Sequence, residues 1–299
     1  MKQSRYSIKL FLKRLERIPA FVKQFFILHY LLLHGGRQTV EKYRHRSSAD
    51  SKAIAEDSPV WVCWWQGQEA MPDIVKACYN SICRNAGSHP VILITDKNYQ
   101  QYVSFPAYIM ERYKRGEIDM THLSDILRMM LLQEYGGIWI DSTVLIPDKG
   151  LSTFIDPKTK FWTCHHHPVT HNVSRGGWVS YFLASGKGNL LPSFILDMHL
   201  LYWKTHSRLV DYLLLDYTFA IARSYLPAVH NMIEELPVTH ISRLKKCLNE
   251  PYTEERWKEF CTDYDFHKLT YKMSLKRVTP DGKKTFYGHI MDTYLPKAR

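Results

Sequence analysis

Between Ser124 and Val144 the chain runs SDILRMMLLQEYGGIWIDSTV, and within it the hydrophobic period changes from that of a helix to that of a buried strand. Leu123, Leu127, Met130 and Leu131 recur at three- and four-residue steps, which predicts a helix with one buried stripe. Asp125 and Arg128 lie three apart on an adjacent face, where side chains become neighbours. Gly136 and Gly137 follow Tyr135, where a left-handed helix end is least costly for glycine. The run IWI then forms a strand that delivers Asp141 at its carboxyl end. Two carboxylates and a guanidinium therefore converge on one rim of a sheet. Taken alone, the same residues also suit a helix-surface ion pair and a capping aspartate.

The surroundings extend this helix-to-strand unit into a layered fold. VWVCWW (60–65) is a short strand rich in β-branched and aromatic residues, and PDIVKACYNSICRNA (72–86) is a helix with proline near its start. PVILITD (90–96) is a continuous apolar run, as in a strand covered on both faces. Segments 97–103 and 106–115 are expected to be helical, FWTC (161–164) to be a strand, and the chain beyond Asn189 to be mainly helical. Strand and helix in alternation predict an α/β architecture with a mostly parallel sheet. Ligands of such sheets collect at the carboxyl ends of the strands.

Charge divides the chain unevenly. Residues 1–46 carry +9 of the formal +11, so the body is nearly neutral. In that arm Leu10, Phe11, Leu15, Ile18, Phe21, Val22, Phe25 and Phe26 recur at helical spacing among Lys and Arg, the pattern of a basic amphipathic helix on an anionic membrane surface. Packing of that apolar side on the body is the alternative. Large aliphatics between the basic residues, and no recognised motif, argue against a nucleic-acid partner. AFVKQFFILHYLLL (20–33) is too short and too interrupted to span a bilayer, which takes roughly 20 apolar residues. Residues 47–58 are polar and small, as expected of a linker into a catalytic body over 59–299, with a nucleotide-binding part to about 150 and an acceptor part beyond. Six cysteines without a CxxC pair, and no signal peptide, suggest a reduced, cytoplasmic protein at the inner face of a membrane.

The order of S-D-x-x-R, a spacer, and G-G-I-W-I-D-S-T resembles the nucleotide-sugar transferases that carry a DXD-type motif. It resembles more closely the bacterial capsular polysaccharide synthesis proteins related to glycosyltransferase family 32. The likeness continues through WVCWWQGQEAMPDIVKACYNSI, VILITDKNYQQY, SYFLASGKGN, DYLLLDY and HKLTYK, and so covers roughly residues 59–272. It implies a GT-A-like fold and transfer of a sugar from a UDP-linked donor, with retention of configuration, to a surface-glycan acceptor such as a lipid-linked oligosaccharide. It implies that Trp64 and Trp65 lie against the base, and that Asp125 and Arg128 face the ribose, base or sugar. Asp141 would take the first DXD position, beside the ribose and a divalent cation, Mn²⁺ or Mg²⁺. The second carboxylate of the motif is Thr143 here, whose hydroxyl ligates weakly or through water. His267 is the implied late metal ligand, and Lys268 or Lys272 the implied partner of the diphosphate.

Asp211 and Asp216 stand five apart around an apolar helix, and either is a candidate to reach the donor sugar or acceptor. The cluster His165, His166, His167 and His171 has neither the spacing of a zinc site nor a glutamate base within it. A sugar-phosphate transferase using the same cleft, and a non-catalytic membrane-bound assembly protein, are the rival functions.

Overall fold

The computed structural model describes residues 19–47, 51–147, 149–153, 155–156, 158–166 and 172–295. Its strands are Val60–Cys63 (β1), Val91–Ile94 (β2), Gly137–Ile140 (β3), Val144–Leu145 (β4), Phe161–Thr163 (β5), Phe182–Ser185 (β6) and His267–Lys268 (β7). Five of them form one sheet in the order β2-β1-β3-β6-β5, and β4 pairs with β7 in a second ladder. β1 is parallel to both β2 and β3, whereas β6 runs antiparallel to β3 and to β5. The expected α/β layering is present. The sheet is evenly mixed rather than mostly parallel, because β6 and β5 enter as an antiparallel pair beyond the helix-connected strands.

The helices are Ala20–Leu31 (α1), Arg37–Arg44 (α2), Asp73–Asn85 (α3), Ala107–Lys114 (α4), Met120–Glu134 (α5), Leu190–Thr205 (α6), Leu214–Tyr225 (α7), Pro227–Glu234 (α8), Leu244–Cys247 (α9), Glu254–Asp263 (α10) and Phe286–Tyr294 (α11). Four of them, α5, α6, α10 and α11, start at a side chain that caps a backbone N–H. The Asp119 carboxylate accepts from the His122 backbone N–H at 2.9 Å, and the Asn189 side chain accepts from that of Leu191 at 2.9 Å. Segment 97–103 forms only a 3₁₀ turn, Tyr99–Gln101, because the Asn98 side chain accepts the Thr95 N–H at 2.7 Å and curls the chain locally.

α5 is buried over most of its circumference, through Leu123, Ile126, Leu127, Met129, Leu131 and Leu132. Met130, expected within the buried stripe, is only half-buried. The helix stops at the double glycine for two reasons. Gly136 has φ +70°, and a Cβ there would lie 2.5 Å from the Lys187 nitrogen. Gly137 has φ +100°, and a Cβ there would lie 2.3 Å from the Pro59 carbonyl oxygen. The main apolar core covers both faces of the sheet. A second cluster joins α3 and α11 to Leu145, Trp257 and Leu269.

Residues 1–18 of the basic arm lie outside the described residues. Beyond them the arm packs on the body: Ile27, Leu31, Leu32, Val40 and Tyr43 enter the main core. Lys23 pairs with Asp211 at 2.5 Å, and the Tyr43 hydroxyl donates to Asp197 at 2.8 Å. The aromatic side of α1 is a different face, and Phe21, Phe25 and Phe26 are 57–67% exposed. Residues 51–58 are not a free linker, since Ser51, Ile54 and Ser58 are buried and the Ile54 N–H donates to the Thr159 carbonyl at 3.0 Å. Their polar composition conceals a segment laid along the sheet edge.

Candidate functional site

β1 and β3 are parallel, so Cys63, Trp64 and Trp65 leave the sheet at the same rim as Asp141. α5 runs back from the double glycine and returns Asp125 and Arg128 to that rim. The Arg128 guanidinium donates to Asp125 Oδ1 at 2.7 Å and to Asp141 Oδ1 at 3.2 Å. It lies over the Trp139 ring, 4.7 Å from its centre. The Trp139 indole N–H donates to Asp141 Oδ1 at 2.9 Å, and Lys268 Nζ donates to Oδ2 at 2.6 Å. Asp125 and Arg128 are buried, so this is no solvated helix-surface pair. The Asp141 side chain keeps 28% of its surface exposed and forms the accessible lip of the cluster.

Lys268 arrives through the β4–β7 ladder, in which Val144 faces Lys268 and Leu145 faces His267. Its ammonium also sits 4.9 Å from the centre of the Tyr181 ring. The Tyr181 carbonyl in turn accepts the Asp141 backbone N–H at 2.9 Å. Sequence reasoning missed Trp139 and Tyr181. An aromatic two residues before the aspartate was visible, but nothing showed that its N–H would turn to that carboxylate.

Burial raises the proton affinity of Asp141, but Lys268 and Arg128 outweigh it and hold the carboxyl below its ordinary value. Asp125 has less cationic support, and burial pushes its carboxyl up against the pull of Arg128 and His122. Asp216 is pushed up to about 6, by burial first, opposed by the Trp178 N–H donated to it at 2.8 Å and reinforced by the charge of Asp125. Asp216 thus belongs to the electrostatic neighbourhood of the cluster. Asp211 instead caps the turn before α7 and pairs with Lys23.

The remaining expected residues fall less neatly. The Trp65 indole is buried and donates to Ser124 Oγ at 2.7 Å, tying β1 to the start of α5. Trp64 is half-buried, edge-on to Tyr271 at 5.5 Å, and among the described residues its indole N–H has no hydrogen-bond partner. Lys272 is exposed and its backbone N–H is held by Thr270 Oγ1 at 3.1 Å. The Thr143 carbonyl accepts the Leu269 N–H at 2.8 Å.

The donor set does not fit a divalent ion held jointly by Asp141, Thr143 and His267. Successive residues of a strand point to opposite faces, so with Lys268 turned to Asp141, His267 faces away. Its ring lies among Trp257, Phe260 and Tyr264, and its Nδ1 meets Ser242 Oγ at 2.5 Å. Burial, then Lys149, drops that imidazole to about 3, so it stays neutral. Both Asp141 oxygens already receive cationic donors. Among the described residues no group of three or more His, Cys, Asp or Glu is placed to hold a metal. His165 Nδ1 contacts the Leu236 carbonyl at 3.2 Å, while His167 and His171 lie outside the described residues.

Comparison with known proteins adds a family. A family model described as capsular polysaccharide synthesis protein matches residues 9–290. The O-glycosyltransferase PaGT of Phomopsis amygdali is 29% identical over 103 residues, 31% of this chain and 25% of that protein. The O-glycosyltransferase braB of Annulohypoxylon truncatum is 30% identical over 98 residues, 30% of this chain and 23% of that protein. The chain therefore spans about a quarter of the length of the curated relatives it matches. A solved structure titled PaToxG Glycosyltransferase aligns with 72% of this chain and 83% of its own, at 14% identity and a TM-score of 0.43.

Proposed function

The chain belongs to the capsular polysaccharide synthesis protein family, and from that premise we propose that it is a glycosyltransferase of GT-A type. The donor is a nucleotide diphosphate sugar, UDP-linked, and the acceptor is a hydroxyl of a surface glycan carried on a lipid. The observation that carries this proposal is one carboxylate at the sheet rim, Asp141, held between Arg128 and Lys268.

Departure of a nucleoside diphosphate puts negative charge on the leaving oxygens, and fixed cations lower the barrier to it. Lys268 is the cation that meets that charge. It reaches Asp141 through a single hydrogen bond and is partly exposed, so it can exchange the carboxylate for a diphosphate oxygen. Arg128 is buried between two carboxylates and stacked on Trp139, so it stays and keeps Asp141 aimed at the cleft. Trp64, half-buried beyond the end of β1, is the aromatic surface for the base. Asp216 sits close enough to Asp125 and Arg128 to feel their charge, and is assigned to the sugar or acceptor hydroxyl. Transfer with retention is part of the same proposal.

No step here runs through a metal ion, because the expected ligands do not converge and both Asp141 oxygens face cationic donors. Association with the inner face of a bacterial membrane rests on the exposed phenylalanines of α1. Among the described residues no helix is long and apolar enough to cross a bilayer.

The test is a screen of nucleotide sugars with Mn²⁺, Mg²⁺ or EDTA, following UDP release and anomeric configuration of the product, for the protein and for Asp141→Asn. Donor-specific UDP release that Asp141→Asn abolishes is expected. If no nucleotide sugar is bound or hydrolysed under any of these conditions, the transferase assignment is lost.

A further inference from the structure

An open cavity of about 1120 Å³ lies between α1, the segment 173–178 that precedes β6, and α7 with the start of α8, and Asp141 is not among its lining residues. Phe21, Val22, Phe25 and Leu28 form one side of its lining, and Trp178 and Ala220 contribute apolar surface from the body. Its charged lining is basic: Arg175 and Arg223 with His230, and no carboxylate among the lining residues. Arg223 is already matched, since its Nε donates to Glu234 Oε1 at 3.0 Å. Arg175 is exposed, with no side-chain ion pair among the described residues, and it is the single non-glycine residue there with a left-handed backbone, at φ +48°. An apolar trough with unmatched positive charge complements an amphiphile with a long apolar chain and an anionic head.

One side chain connects this trough to the candidate active site. Trp178 lines the cavity, stacks on Phe219 with ring centres 5.3 Å apart, and donates its indole N–H to Asp216 at 2.8 Å. Asp216 in turn feels the charges of Asp125 and Arg128.

We propose that this trough binds the phosphorylated long-chain lipid on which the acceptor glycan is carried, with the apolar chain along Phe21, Val22 and Phe25 and the phosphate at Arg175. The role as an acceptor subsite rests on the transferase function proposed above, while the binding itself does not. Bound this way, the lipid directs the glycan head toward Asp216, and α1 acts as a wall of the subsite as well as a membrane contact.

The test is binding by the full chain, without any sugar donor, of dodecyl phosphate below its micelle concentration, followed by tryptophan fluorescence. Dodecanol, inorganic phosphate and phosphatidylglycerol vesicles are the comparison ligands. Saturable binding of dodecyl phosphate is expected, with dodecanol and inorganic phosphate each weaker by about tenfold or more, since chain and charge contribute separately. Arg175→Asn should weaken it by about tenfold, because asparagine tolerates the left-handed backbone but removes the charge-assisted contact. Arg175→Lys should retain most of it, and Phe25→Ser should weaken dodecyl phosphate and dodecanol alike. Equal affinity for dodecanol, an unaffected Arg175→Asn that melts like the parent, or binding to vesicles alone would each overturn the proposal. UDP release in the donor screen is read separately, so loss of transferase activity and loss of lipid binding are distinguishable.

Discussion

Arg128 and Asp141, 13 residues apart in the chain, meet at 3.2 Å across the rim of the sheet while the same guanidinium holds Asp125 at 2.7 Å. One buried cation therefore organises two carboxylates from two elements. Replacing it with the apolar Arg128→Met strands charge in a poorly hydrated place. Breaking a buried pair by removing one partner costs about 3–5 kcal/mol, read as a lower urea midpoint. Asp125→Asn should recover part of that loss, with a coupling of about 0.5–3 kcal/mol in the double-mutant cycle. Strict additivity would show that the bridge contributes nothing of its own.

Lys268 is predicted to matter in both stability and rate. The Asp141 carboxyl is held below its ordinary value in the folded protein, so its stabilising contribution is complete above the unfolded pKa, about 3.9, and is lost as pH falls through the folded value. Lys268→Met removes the second cation and shrinks that contribution. The variant should be less stable at pH 7 by about 1.5–3 kcal/mol, the range for a hydrogen bond to a charged group, and the gap should close in strong acid. If Lys268 meets the departing diphosphate, kcat should fall by about 10²–10³. A gap in stability that persists unchanged in strong acid would assign Lys268 a packing role.

Asp216 gives the opposite sign. Its folded pKa of about 6 exceeds the ordinary carboxylate value, so ionisation works against the fold. Stability attributable to this residue is full below about pH 4 and falls as pH rises to 6, then levels off. At about 1.4 kcal/mol per unit, the whole change approaches 3 kcal/mol. Asp216→Asn retains an oxygen acceptor for the Trp178 N–H without the charge. It should match the parent at pH 4 and exceed it in denaturant resistance at pH 8. A difference independent of pH would place the Asp216 titration outside this window. If the carboxylate acts on an acceptor hydroxyl, UDP release in the parent should rise through pH 6, and the asparagine variant should lose that rise along with most of its rate.

The convergence of Asp125, Arg128 and Asp141 was legible because it depends on local geometry. From the double glycine, Asp141 lies five residues along a strand, about 16 Å at 3.3 Å each. Arg128 lies eight residues back along a helix, about 12 Å at 1.5 Å each, and Asp125 about 16 Å. An antiparallel helix and strand must therefore bring them level. Lys268 was found only through resemblance, since a contact 127 residues away in sequence leaves no periodic trace. His267 was misdirected because resemblance carries residue types, whereas the face of a two-residue strand is decided by its partner β4. Trp139 and Trp178 were hidden because an aromatic in an apolar run does not reveal where its N–H points. The helical part of the arm, with Ile27 and Leu31 buried and Phe21 and Phe25 exposed, has two apolar faces that a single periodic stripe could not separate.

Gly137 should be the least replaceable position in the motif. A Cβ at this residue would stand 2.3 Å from the Pro59 carbonyl oxygen, and the backbone is at φ +100°. Gly188 separates the two effects, because it is also left-handed, at φ +74°, but nothing lies within 4 Å of its missing Cβ. Gly188→Ala should therefore bear only the backbone term, about 1–2 kcal/mol. Gly137→Ala adds a collision with main chain on the parallel neighbour β1, which moves only if the β1–β3 register opens. It is expected to exceed about 4 kcal/mol, the range of diagnostic core damage, and to yield little folded protein. Gly150→Ala, with no contact closer than 3.6 Å and an ordinary φ, is the neutral control. If Gly137→Ala melts within a few degrees of Gly188→Ala, the close approach of β3 to Pro59 is not what holds Asp141 at the rim.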